Sequence, residues 1–127
     1  MENLRTGVQD AGERETFSLI GSDKVEGTRV YAVNGDHISH IERVMIGKLD
    51  GHVAYAVLGF GGFLGIGKDY YPLPWSALTY DATLGGYEVA VTEEQLRGAP
   101  RYSDNDEWNW EDRAVASRVD DYWRTYN

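Results

Sequence analysis

The 127-residue chain has no cysteine, three histidines, two methionines and three prolines. Without cysteine there are no disulfides and no thiolate metal ligands, a usage that suits a reducing compartment. No apolar run is long enough to cross a bilayer as a helix, and the opening residues 1–10 have no hydrophobic stretch of the kind a signal peptide requires. Positive charge is also scarce. Twelve Lys and Arg stand against 21 Asp and Glu, for a formal charge of −9 and a pI near 4.7. A nucleic-acid backbone or an anionic membrane surface would be repelled by such a chain, whereas a basic protein partner would be attracted. The expectation is a cytoplasmic protein with no nucleic-acid partner and no direct membrane insertion.

What the chain does have is glycine and aromatic residues, concentrated in Gly59-Phe60-Gly61-Gly62-Phe63-Leu64-Gly65-Ile66-Gly67-Lys68 and the following Asp69-Tyr70-Tyr71-Pro72-Leu73-Pro74-Trp75. Large apolar residues between glycines do not suit a solvated linker. They indicate a tight connection folded back on a β-core, with Gly59, Gly61, Gly62, Gly65 and Gly67 supplying backbone freedom. The segment imitates a phosphate-binding loop through Gly62-x-x-x-x-Gly67-Lys68. That loop requires Ser or Thr after the lysine and a helix to follow. Here Asp69 follows, and then Pro72 and Pro74, which exclude a helix and suit an extended edge strand. Tyr71, Leu73 and Trp75 then share one strand face, which places Trp75 in the core.

Turn signals divide the chain into a polar, flexible arm (residues 1–16), a strand-rich domain (17–102) and an acidic, aromatic-rich helical extension (103–127). Arg29 to Val33 leads into Asn34-Gly35, a strong hairpin signal, and His37 to Ile46 is the return strand. Its apolar positions Ile38, Ile41, Val44 and Ile46 change spacing from three to two, which predicts a bulge or sharp bend. Asp50-Gly51 turns the chain into His52 to Leu58, and Gly85-Gly86 precedes a strand over 87–91. Thr92 and Gln95 form a capping box for a short helix that Gly98 and Pro100 stop. From Arg113 to Tyr126, Val115, Val119, Tyr122 and Tyr126 fall on one helix face, with Trp123 beside them.

These elements predict an all-β fold, a small antiparallel and strongly bent barrel followed by a C-terminal amphipathic helix. The stretches Leu19-Ile20-Gly21-Ser22, Asn34 to Ile38, Val53 to Leu58, Gly61 to Gly67, Tyr71-Pro72-Leu73-Pro74-Trp75 and Thr92-x-x-Gln95-Leu96-x-x-Ala99-Pro100 resemble the PRC-barrel domain family. The resemblance covers about residues 17–102. That family includes the cytoplasmic domain of the photosynthetic reaction-centre H subunit and the C-terminal domain of the ribosome maturation factor RimM. It implies a docking or adaptor module with no shared catalytic residues. Many members carry glycine after the isoleucine of the second strand; here Ser39 stands there, so the strand must bend by other means.

Chemistry is sparse. His37 and His40, three apart on a strand, fall on opposite faces unless a bulge intervenes. Asp104-x-Asp106 opens like a calcium loop and then fails at Trp108, Asn109 and Val115. Asp104 or Asp106 is instead expected to cap the C-terminal helix. No catalytic residue, cofactor or metal is expected. On the strand 52–58, Val53, Tyr55 and Val57 share one face and Ala54, Ala56 and Leu58 the other, so both faces are apolar. The second face needs a cover or is a sticky patch. Trp108, Trp110, Val119, Tyr122, Trp123 and Tyr126 can supply it, and with Tyr55 and Val57 they form the candidate interface. The tail can close its own barrel, exchange between two protomers or meet a different partner; the expectation carried forward is a homodimer and a protein-interaction role. The alternative is a small-ligand or cofactor-binding protein that uses the Gly59–Gly67 loop or the barrel mouth.

Isothermal titration with Mg-ATP and Mg-GTP should show no heat of binding. Micromolar affinity abolished by Lys68→Ala would overturn the non-nucleotide reading of the glycine-rich segment.

Overall fold

The computed structural model describes residues 10–61, 67–104 and 106–126. Its strands are β1 (Arg29–Tyr31), β2 (His37–Ile46), β3 (Val53–Gly61), β4 (Lys68–Pro74), β5 (Leu78–Asp81), β6 (Gly86–Val89) and β7 (Tyr102–Ser103). Three short helices accompany them: α1 (Ser22–Val25), α2 (Glu93–Arg97) and α3 (Arg113–Arg124). The hairpin and cap signals act as expected. Gly35 takes φ +90° in the turn between β1 and β2, a conformation other residues resist. Thr92 and Gln95 cap α2 reciprocally.

The strands form one seven-stranded sheet in the order β5-β6-β1-β2-β3-β4-β7. Two expectations need correction. The sheet is mixed, because β1 runs parallel to β6, and it is not closed into a barrel. Its edges, β5 and β7, do not pair. The prolines supply a physical reason on one side. Along β4 only Asp69 and Tyr70 pair with β7, and beyond them Pro72 and Pro74 offer no N–H for a further ladder.

Bending comes from bulges. The registers leave Ile38 and Glu42 of β2 and Ala54 of β3 as extra residues without an opposite partner. The expected change of period in β2 is therefore real, and the bulge at Ile38 bends the strand next to Ser39. Strand β3 also runs further than expected. Gly59, Phe60 and Gly61 continue the ladder with β4, although glycine in a sequence reads as loop. Gly62 and Gly65 lie outside the described residues.

The core joins β1 to β4, β6 and α2 through Val30, Ile41, Ala56, Leu58, Leu73, Val89, Val91 and Leu96, all fully withdrawn from water. The C-terminal helix belongs to the same core, since Val119 and Trp123 are each only 1% exposed. The buried pair is thus Val119 with Trp123, one helical turn apart, rather than a stripe through Tyr122 and Tyr126. Trp75 departs from its expected place. The chain leaves the strand after Pro74 for a 3-10 turn, Trp75–Ala77, and the indole is half-buried, edge-on to Tyr87 at 5.2 Å. Residues 10–16, expected in the flexible arm, form a π-helical turn (Asp10–Arg14) and a bridge from Glu15 to Ile20. Among the described residues, no helix is long and apolar enough to cross a membrane.

Replacing Trp123 with alanine should lower the unfolding free energy by about 3–5 kcal/mol, the range for a large aromatic lost from a core. Trp75→Ala should cost less, because that ring keeps part of its surface in water. A urea midpoint unmoved by Trp123→Ala would show that α3 is not part of the core.

Candidate functional site

Strand β3 sets the site because both of its faces must leave water. Ala56 and Leu58 point into the core, in register with Leu73 and Tyr71 of β4. On the other face Val57, fully buried, lies between Arg43 of β2 and Pro72 of β4, and Tyr55 lies between Met45 and Pro74. The cover comes from the same chain. The Trp110 ring sits 5.1 Å from that of Tyr55, and the Tyr55 hydroxyl donates to the Asp120 carboxylate at 3.2 Å. Burial first, and then Asp120, push the Tyr55 hydroxyl's pKa up.

From Trp110 the rings continue without a break. Trp108 is edge-on to Trp110 at 5.8 Å and stacks on Tyr102 at 4.7 Å, and Tyr102 stacks on Tyr70 at 5.1 Å. The Arg43 guanidinium lies 5.4 Å over Tyr70 and donates to the Tyr102 hydroxyl at 3.3 Å. Each aromatic pair adds about 0.5–1.5 kcal/mol beyond area burial, so this ladder fastens the extension to β3, β4 and β7. Tyr70, Tyr102 and Arg43 were not singled out in the sequence. Their signal was alternation: Tyr70 shares the Pro72 face of β4.

The expected interface residues therefore separate. Val57, Val119 and Trp123 are enclosed by their own chain and present no free surface in this fold. Tyr55, Trp108, Trp110, Tyr122 and Tyr126 are half-buried. The Tyr122 hydroxyl donates to the Gln95 carbonyl, and its pKa is pushed up to about 12, by burial first and then by Tyr126.

A polar cluster adjoins the ladder. The register runs Arg29, His40, Gly59, Tyr70 and Tyr102 across five strands as one row. Gly59 leaves a gap in that row, and the bulged Glu42 fills it. A Cβ at Gly59 would meet the Glu42 Oε1 at 2.5 Å. That oxygen accepts from Lys68 Nζ at 2.9 Å and lies 3.3 Å from His40 Nε2. The Lys68 hydrogen bond is the largest influence on Glu42 and, against the penalty of burial, holds its carboxyl below the usual range. Lys68 thus opens a strand, where the phosphate-loop pattern requires a helix, and pairs with a carboxylate.

The Ile38 bulge is the intervening irregularity that changes the alternation between the histidines. His37 and His40 line one cleft instead of opposite faces. Buried Ser39 between them donates its hydroxyl to the Gly59 carbonyl at 2.8 Å. Helix α3 is capped by Asp112, which accepts from the Ala114 N–H at 2.9 Å, and not by Asp104 or Asp106. Asp104 accepts from the Lys68 N–H and the Tyr70 hydroxyl, while Asp106 accepts from Ser103. Among the described residues, no three His, Asp or Glu side chains converge as a metal site.

The PRC-barrel domain family model matches residues 18–96, more than half of the chain. No curated protein matches it.

In Lys68→Met, the Glu42 carboxyl should titrate at higher pH, which carbon-detected NMR can follow. The sign for stability follows from the lowered folded-state value. The Glu42 contribution is present above the unfolded pKa and is lost as pH falls through the folded one. Wild type and variant should therefore converge in stability at low pH. An unmoved Glu42 titration would show that Lys68 is not its partner.

Proposed function

The chain belongs to the PRC-barrel domain family, and from that premise we propose that it is a non-enzymatic protein-interaction module. The observation that carries this reading is the aromatic ladder with Arg43 on the outer side of β3, β4 and β7. Tyr, Trp and Arg dominate the energetics of protein interfaces, because they bring large rigid area with polar tips. Its half-buried rings keep an open side for a partner. Asp104, Asp106, Glu107, Glu111 and Asp112 stand exposed along the same extension. With the overall charge of −9, they favour a partner with a basic rim.

The expected homodimer is carried forward in one form. The tail meets its own chain through a connection whose described residues, 104 and 106–112, lack helix and strand. Exchange of that tail between two copies would reproduce the same contacts. The small-ligand alternative is supported by the cleft beside His37 and His40.

Capture from a lysate of the source cells should retain a protein partner that is released by added salt. Tyr70→Ala, assayed at a temperature where circular dichroism shows the variant still folded, should weaken that capture at least tenfold. Identical captured proteins for wild type and variant at both low and high salt would contradict the reading.

A further inference from the structure

A cleft of about 560 Å³ opens where β1, β2 and β3 meet, lined by Arg29, His37, Ile38, His40, Gly59 and Phe60 among others. Its chemistry is divided. Ile38 and Phe60 pack against the core and supply an apolar floor, Phe60 being fixed edge-on to Tyr71 at 5.1 Å. The rim is cationic or ionisable. Arg29 stands directly opposite His40 in the β1–β2 register, and paired cross-strand residues project on the same face. His37 is steadied by the Tyr31 ring at 5.5 Å and by the Ser39 carbonyl 3.0 Å from its Nε2.

Arg29, like Lys48, Arg113 and Arg118, is exposed and makes no ion pair among the described residues, and of these four it is Arg29 that lines this cleft. The carboxylate on this row, Glu42, is already engaged by Lys68 and His40. In the neighbouring cleft that Arg29 also borders, Glu15 is engaged by Lys24 and Tyr80, and the exposed Glu26 makes no ion pair with Arg29. A free guanidinium at the mouth of an apolar-floored cleft is a receptor for a planar anion, which it can hold in a bidentate manner.

We propose that this cleft binds the C-terminal end of a partner polypeptide whose last residue is aliphatic. Arg29 holds the terminal carboxylate, with His40 beside it, and Ile38 and Phe60 receive the last side chain. Capture of a C-terminal carboxylate is an established recognition mode, commonly by backbone N–H nests; here the guanidinium supplies the donors. The inference rests on the interaction-module reading and gives that module a specific ligand. A free acyl carboxylate offers the same two features without a peptide, so the test separates the sources.

The full chain is titrated at pH 7 with N-acetyl-Gly-Gly-Ala-Leu as the free acid, with its C-terminal amide and with hexanoate, while NMR follows the histidine rings. The free acid should move the His37 and His40 signals and leave His52, on the hairpin before β3, in place. The amide should bind at least tenfold more weakly, and Arg29→Gln should reduce free-acid binding by a similar factor at an unchanged unfolding midpoint. Equal binding of acid and amide, or silent His37 and His40 signals at millimolar peptide, would overturn the proposal. Hexanoate binding as tightly as the peptide would overturn the polypeptide assignment and give the cleft to small carboxylates. These failures would leave the Tyr70-dependent capture untouched, so the two readings fail separately.

Discussion

Strand β3 has no face that can be left to water, and the architecture follows from that constraint. Ala56 and Leu58 are buried in the core that the curved sheet forms with α2 and α3. Val57 and Tyr55 cannot be, because a sheet bent around one interior has a single inside. The extension resolves this through Trp110, Asp120 and the stacked rings of Trp108, Tyr102 and Tyr70. Helix α3 has 12 residues, a length that is marginal alone in water. It gains order by burying Val119 and Trp123 in the core shared with β3 and β4. Strand and tail therefore depend on each other: one needs a cover, and the other needs a surface.

The polar features are arranged by irregularities in the same sheet. The bulge at Glu42 releases its carboxylate from the ladder's alternation, and Gly59 leaves the space it occupies between His40 and Lys68. The bulge at Ile38 brings His37 and His40 to one cleft. Bulges are a common device for re-aiming side chains near binding sites. Here they collect the ionisable groups on the outer side of β1 to β4, next to the rings of Tyr70 and Tyr102. The domain thereby acquires a chemically distinct face without altering its core.

Much of this was legible in the chain. Asn34-Gly35 and Asp50-Gly51 marked hairpins, Thr92 and Gln95 marked a cap, and Pro72 with Pro74 marked the open edge, because each rests on local backbone chemistry. The two apolar faces of β3 and the aromatic character of their cover were also readable. The rest depended on distance or on one-residue phase. Parallel pairing of β1 with β6 joins residues far apart in sequence, and no local signal reports it. Glycines at 59 and 61 disguised three strand residues as loop. Trp123 outranks Tyr122 in burial because the helix turns its face by one position. Asp112 caps α3 because it immediately precedes Arg113, whereas Asp104 and Asp106 serve the β4–β7 edge. The ring ladder draws on β3, β4, β7 and the connection before α3, and no window along the sequence contains it.

The mutual dependence of β3 and the tail is open to native-state hydrogen exchange. Under conditions that report opening free energies, the slow amides of β3 around Ala56–Leu58 and those of α3 around Val119–Trp123 should share one opening free energy, that of global unfolding. They should respond to urea with one slope, as members of a single cooperative unit. If the α3 amides exchange orders of magnitude faster than those of β3, and with a shallow urea dependence, the tail opens independently, and the account of β3 as a strand that requires its cover is contradicted.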